Sequence, residues 1–199
     1  MEKENSRSNF FALMNRMKYI SRWGLMKNTT TENIQEHSLS VAMLAHALAV
    51  IRRDVFGDVA EPELCAAAAI FHDATEIITG DLPTPIKYFN PDISTAYKAV
   101  ESTAAEKLIS MLPEEMRATY RQLILCESRL PIGVYSIVKA ADRLAAYIKC
   151  VEEMKSGNME FKQASEQIFR SIRDLHMREV DYFIDTFLPG YSLTLDEMG

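Results

Sequence analysis

Backbone breakers are scarce in this chain, and their positions leave room for little except helices. Seven glycines and seven prolines are spread over 199 residues. They fall between stretches whose apolar residues recur every three to four positions, the helical period. Phe10, Leu13, Met14 and Met17 form one such stripe and predict a helix over 10–20. After a polar connection, Asn33 or the threonines before it can cap a second helix over 34–53, with Leu44, Leu48 and Ile51 on one face. Pro62 suits a first helical position, and a third helix is expected over 63–79. Gly80 stops it, and Leu82-Pro83-Thr84-Pro85 follows as a stiff loop. Further helices are expected over 93–112, 114–126, 131–155 (with Gly133 as a point of interruption) and 159–187. No stretch alternates with the two-residue period of a strand. The reading is a single all-α domain over residues 1–199, of about seven helices.

A net charge of −6, with no basic stripe, argues against a binder of polymeric nucleic acid. It leaves room for a small anionic substrate, because a local cationic cluster outweighs the global sign. Cys65, Cys126 and Cys150 lie far apart, with no CxxC spacing. They read as reduced core thiols, which fits a cytoplasmic setting. The stretch 1–9 is polar and lacks the apolar centre of a signal peptide. The longest apolar run, 39–51, contains His46 and is too short to span a bilayer, so no membrane association is expected.

His72 and Asp73 stand at the end of an alanine-rich apolar run. Burying such a pair costs several kcal/mol unless something compensates it, and a divalent cation is the obvious partner. Two other residues can reach the same ion. His37 falls in the first turn of the second helix, and Asp142 interrupts the apolar face of Ile137, Ala141, Leu144 and Ile148. Singly, His37 reads as a cap or surface histidine and Asp142 as a solvated carboxylate. Jointly, a His, a His-Asp pair about 35 residues on and an Asp about 70 further, all on expected helices, resemble the all-α HD-domain metal-dependent phosphohydrolases. Two imidazoles and two carboxylates suit manganese, iron, cobalt, nickel or zinc rather than calcium. Positions remain for water and a phosphate oxygen. His46 lies nine residues past His37, about 900° along the helix, and so points the other way, into a core or an interface. His176 reads as part of a solvated helix face. One cation is expected, not two.

Glu76 follows His72 by four residues and Asp73 by three, and so shares their helical face. It reads either as a general acid/base or water-orienting group or as an exposed carboxylate. Asp81 reads either as a proton donor or sugar-hydroxyl partner or as a turn former. Arg22 and Trp23 suit a phosphate and a base or sugar. Taken alone, they read more simply as a loop anchor and a surface cation. Lys139, three residues before Asp142, and Lys87, after the proline loop, suit a phosphate or plain solvent.

The resemblance narrows further on longer stretches. Arg22-Trp23, Thr31-Glu32-Asn33 through Glu36-His37-Ser38, His72-Asp73 with Glu76, Thr79-Gly80-Asp81-Leu82-Pro83-Thr84-Pro85-Ile86-Lys87-Tyr88-Phe89 and Lys139-Ala140-Ala141-Asp142 are similar to the bacterial 5′-deoxynucleotidases of that superfamily. The likeness runs on to Leu195-Asp196-Glu197 and covers essentially the whole chain. It implies hydrolysis of deoxyribonucleoside 5′-monophosphates by a homodimer using one divalent metal, commonly cobalt or manganese. It implies His37, His72, Asp73 and Asp142 as the ligands, Glu76 and Asp81 as the catalytic carboxylates, and Arg22 on the phosphate. Trp23 would crowd the 2′ position against ribose, with Thr84, Lys87 and Lys139 as further substrate contacts. The rival readings are a guanosine polyphosphate hydrolase, which would carry an acidic pair where Glu76 is followed by Ile77, and a non-catalytic metal-binding interaction module.

Overall fold

The computed structural model describes residues 7–87 and 89–199, without the side chain of Thr84. Most of the stretch 1–9, and Tyr88 of the proline-loop run, therefore lie outside the described residues. The described residues form eleven α-helices and no strand, apart from an isolated antiparallel bridge between Ser21 and Asn33. The first five are α1 (Phe10–Met14), α2 (Ile34–Val50), α3 (Pro62–Ile70), α4 (Glu76–Thr79) and α5 (Thr84–Lys87). Then come α6 (Pro91–Ser110), α7 (Glu114–Ile124), α8 (Cys126–Arg129), α9 (Ile132–Lys155), α10 (Lys162–Arg173) and α11 (Arg178–Thr186).

The all-α expectation holds, but several long helices are subdivided. The stretch 10–20 is α-helical only to Met14 and tightens to a 3₁₀ turn over Asn15–Tyr19. Residues 114–126 divide into α7 and α8 at Leu125, whereas α9 runs unbroken through Gly133. The expected helix over 159–187 is cut at residues 174–177, where His176 takes φ 51°. His176 is therefore a linker residue rather than part of a helix face. Leu175 and Met177 beside it pack on the core, so tertiary burial sets this turn without a glycine.

Two apolar clusters hold the helices together. The main one joins α2, α3 and α9, closed by α10 and α11, with Leu48, Ile137 and Leu144 essentially without exposure. Each such side chain contributes about 1.5–3 kcal/mol of burial. The α3 face is made of Cys65, Ala68 and Ala69, and such small side chains let helices approach closely. The second cluster joins α1, its 3₁₀ turn, α6 and α7 around Phe10, Leu108 and Ile109. With its extension to Val55, α2 is long and apolar enough to cross a membrane by length and composition, yet its inner face is buried, as in a core helix. His46, expected in a core or an interface, is exposed to solvent.

The clusters meet at one place. Ala68 and Ala69 belong to the first, Ile34 and Ala74 to the second, and residues 71–75 cross between them. That crossing carries His72 and Asp73.

Candidate metal centre and substrate cleft

Local chemistry sets each side chain of the site. Asn33 caps α2: its side chain accepts from the N–H groups of Gln35 and Glu36, both at 3.0 Å, while Glu36 reaches back to the Asn33 N–H. The first turn of α2 is thereby fixed, and His37 is fully buried. The expected helix over 63–79 breaks just where His72 sits. His72 Nδ1–H donates to the Ala69 carbonyl at 2.7 Å. The imidazole thus takes the carbonyl that would have received the Asp73 N–H. Bonds of the i→i+3 kind, such as Ala74 N–H to Phe71 O at 3.1 Å, carry the chain across the turn. Glu76 therefore starts a separate helix instead of sharing a helical face with His72 and Asp73, but the turn still delivers it to them. Gly80, at φ 72°, ends α4 in the left-handed region and sends Asp81 into the cleft.

Four of the expected side chains converge. His37 Nε2 lies 3.1 Å from Asp142 Oδ1 and 3.7 Å from Asp73 Oδ2. His72 Nε2 lies 3.0 Å from Asp73 Oδ2 and 3.9 Å from Asp142 Oδ1. Donors bound at ~2.1 Å to a common ion sit about 3.0–4.2 Å apart, so these spacings fit a divalent cation. His72 gives a second sign of fit. With its Nδ1 proton used on Ala69, the neutral ring that a cation requires would turn its Nε2 lone pair to the cluster, where this atom is buried without a hydrogen-bond partner. Its 3.0 Å approach to Asp73 is close contact without hydrogen-bond geometry.

The electrostatics keep both carboxylates ionised. Burial works to raise Asp142, but the His37 hydrogen bond and the His72 charge outweigh it and hold the carboxyl far below its usual range. Burial likewise opposes ionisation of Asp73, and His72 overcomes it, leaving about 2. For His72, burial favours the neutral ring but Asp73 and Asp142 raise it above the usual histidine value. Glu76 behaves differently. Burial, aided by Asp73 and Asp81, raises it to about 9, against the opposing charges of Arg22 and Lys87. Asp81 is raised mainly by burial, against Arg22 and a hydrogen bond from the Trp23 N–H.

Beside the cluster opens a cleft of about 630 Å³, lined by Arg22, Trp23, Asp81, Pro83, Pro85 and Asp142 among others. Arg22 Nη1 is buried there without a hydrogen-bond partner, as is Glu76 Oε2. The structure thus brings together His37, His72, Asp73, Asp142, Glu76, Asp81, Arg22 and Trp23. Lys87 is engaged elsewhere: its Nζ donates to Glu101 at 2.8 Å and lies over the Tyr97 ring on α6. Lys139 is exposed one turn before Asp142, which feels its charge. The Thr84 side chain lies outside the described part. Arg143 lines the cleft with its Nη1 tied to the Ser171 carbonyl at 2.7 Å, and Glu32 stands behind Arg22 and Trp23. Neither stood out in the sequence, where each is a charged residue among polar or helical neighbours.

Comparison with known proteins gives the family and the fold. The family model described as 5′-deoxynucleotidase YfbR-like matches residues 9–191. A Vibrio cholerae protein named 5′-deoxynucleotidase is 49% identical over 192 residues, covering 96% of this chain and 98% of that protein. A Cronobacter sakazakii protein of the same name is 49% identical over 194 residues, covering 98% and 97%. Among solved structures, an HD-domain phosphohydrolase from Listeria innocua superposes with a TM-score of 0.80 at 22% identity, covering 92% of this chain and 88% of that one. A cyanophage S-2L HD phosphohydrolase, DatZ, bound to dA and one catalytic Zn²⁺ ion, superposes with a TM-score of 0.65 at 21% identity, covering 92% and 96%. With the family model spanning nearly all of the described residues, this chain belongs to the YfbR-like 5′-deoxynucleotidase family.

Proposed function

We propose that this chain, acting as one domain per subunit, hydrolyses deoxyribonucleoside 5′-monophosphates to deoxynucleoside and phosphate, with selection against ribonucleotides. The observation that carries the reading is the placement of Arg22, Trp23 and Asp81 in one cleft against the donor group of His37, His72 and Asp73, which Asp142 joins through His37. The names of the Vibrio and Cronobacter relatives and the dA bound to DatZ support it.

His37, His72, Asp73 and Asp142 hold one divalent cation, cobalt or manganese by family resemblance, with zinc, nickel or iron also suited to the donors. Such an ion, when bound, acidifies water and offsets phosphoryl charge. The unpaired Arg22 Nη1 takes a phosphate oxygen. Glu76 lies beside Asp73 on the cluster side and orients the attacking water; burial and the neighbouring carboxylates hold it protonated, and the charge of a bound cation would lower it so that it could accept the water's proton. Asp81, raised toward its neutral form and lining the cleft, gives a proton to the departing 5′-oxygen. The Trp23 ring crowds the 2′ carbon, so that a ribose hydroxyl there loses water without gaining a partner. Thr84, Lys87 and Lys139 are further substrate contacts in this reading, and Lys87 would have to exchange its bond to Glu101.

Phosphate release from dAMP, dGMP, dCMP and TMP, beside their ribose counterparts and with added metals, tests this function. Deoxynucleotides are expected to react faster, and Trp23→Ala is expected to cut the dAMP over AMP preference about 10-fold. Equal wild-type rates on the two would end the role given to Trp23.

Three free, buried cysteines support a reducing, cytoplasmic setting; no membrane is part of this reading. The homodimer is supported by an apolar furrow of about 590 Å³ edged by exposed Phe11, Leu39 and Ile70. Light scattering should give twice the chain mass for wild type and a single mass for Leu39→Glu; a monomeric wild type would refute it.

A further inference from the structure

Trp23 holds a backbone conformation, φ 58°, that residues other than glycine rarely adopt. Such geometry persists only where the surroundings over-determine it. Here several contacts do so. The Trp23 carbonyl accepts from the Met26 N–H at 2.9 Å and from Asn28 Nδ2 at 3.3 Å. Its ring lies 5.3 Å from that of the fully buried Phe161. Its indole N–H donates to Glu32 Oε2 at 3.2 Å.

Glu32 does more than receive the indole. Its backbone carbonyl accepts the Arg22 N–H at 2.9 Å, and its Oε2 lies 3.6 Å from Arg22 Nε. Its other oxygen faces His37 Nδ1 across 4.0 Å, and that nitrogen is buried without a hydrogen-bond partner. His37 Nε2 lies at hydrogen-bond distance, 3.1 Å, from Asp142; were a cation to take that nitrogen, the ring proton would belong on Nδ1, and a carboxylate is the usual outer partner for such a ring. The Glu32 side chain is itself largely buried, with 16% exposure. A carboxylate can accept on both oxygens at once; glutamine offers a single acceptor and alanine none.

We propose that Glu32 is a positioning residue joining the two halves of the site: one oxygen sets Trp23 and Arg22 toward the substrate, and the other steadies His37 toward the cation. The selectivity part rests on the function proposed above; the rest stands on this geometry.

The chain has one tryptophan, so its fluorescence reports on Trp23 alone. Wild type, Glu32→Gln and Glu32→Ala are compared after circular dichroism establishes folding. In metal-free protein, Glu32→Ala is expected to shift the emission and admit acrylamide, whereas Glu32→Gln, which still accepts the indole N–H, stays near wild type. Cobalt affinity, measured by chelator competition, is expected to weaken about 10–100-fold in both variants. The ratio of kcat/KM for dAMP over AMP is expected to fall about 10-fold in Glu32→Ala. Wild-type emission, cobalt affinity and ratio in Glu32→Ala would overturn the proposal. So would a drop in kcat with all three unchanged, which marks a merely structural residue. If Glu32→Ala does not fold, Glu32→Gln decides: wild-type cobalt affinity overturns the proposal and weakened affinity upholds it. A wild type that does not hydrolyse deoxynucleotides defeats the functional reading alone, because the emission and cobalt measurements still decide the role of Glu32.

Discussion

Replacing Glu76 with alanine is expected to lower kcat on dAMP by about 10²–10⁴-fold while metal content stays at the wild-type level. The separation of the two readouts follows from where Glu76 sits. His37, His72 and Asp73 form the close donor group, and Asp142 joins it through both imidazoles. Glu76 opens the next helix with its Oε2 buried and unpaired, facing charge from Asp73, Asp81 and Arg22. Loss of metal in parallel with activity would make it a ligand instead, and near-wild-type turnover would remove it from the mechanism. The same carboxyl leaves a signature in metal-free protein. Its folded value of about 9 lies above an unfolded value near 4.5, so the native state retains the proton that the unfolded state releases. Stability drawn from this group is full below the unfolded value and is lost as pH rises toward 9. Glu76→Gln has no proton to lose, so its Tm advantage over wild type is expected to grow between pH 5 and pH 9. An advantage that is the same at both ends would mean that the carboxyl is solvated.

Much of this site is legible in the residues because its parts obey local rules. Asn33 and Glu36 form a capping box that fixes the turn bearing His37. Pro62 begins α3, and Gly80 adopts the left-handed backbone that ends α4. Asp142 breaks an apolar stripe, and the fold brings that mismatched carboxylate to 3.1 Å from His37 Nε2. What periodicity misses is set by tertiary contacts. The break at 71–75 follows from one imidazole capturing one carbonyl, inside a segment whose apolar pattern continues as if helical. The break at 174–177 rests on Leu175 and Met177 reaching the core, with His176 accepting the unusual φ. His46 sits on an exposed face of α2, a long apolar helix whose composition suggests burial or an interface. Glu32 is nearly invisible, because its partners lie nine and ten residues back and are brought opposite it by the bridge between Ser21 and Asn33.

Glu153→Ala is expected to cost about 3–5 kcal/mol of stability, more than any surface charge in this chain. In the sequence Lys149 and Glu153 look like an ordinary i,i+4 pair on a helix, where such pairs contribute a few tenths of a kcal/mol. In the fold they are 5% and 1% exposed. Glu153 Oε2 accepts from the Thr29 N–H at 2.9 Å, the Thr29 hydroxyl at 2.6 Å and Asn158 Nδ2 at 2.8 Å. Its Oε1 accepts from Lys149 and from the Thr30 N–H, while Lys149 also donates to the Thr30 carbonyl. Burial opposes the charge on Glu153, but the bond from Lys149 and those from Thr29 and Asn158 hold its carboxyl well below the usual range. Its stabilising contribution is therefore present above the unfolded carboxylate value and is lost as pH falls through the lower folded one. Alanine would strand a buried ammonium and several loop donors, whereas Lys149→Met together with Glu153→Leu removes both charges and should lose less than Glu153→Ala alone. Urea midpoints of the three proteins decide it. A loss within about 1 kcal/mol for Glu153→Ala would show that water, not the loop, satisfies Lys149. The pair also ties α9 to the segment that follows Trp23, since Asn28 Nδ2 bonds the Trp23 carbonyl and Asn158 bonds the Lys27 carbonyl. With the role proposed for Trp23, Glu153→Ala should therefore blunt the dAMP over AMP preference at temperatures where the protein is still folded, because the loop that carries the Trp23 ring loses its anchor before the helices unfold.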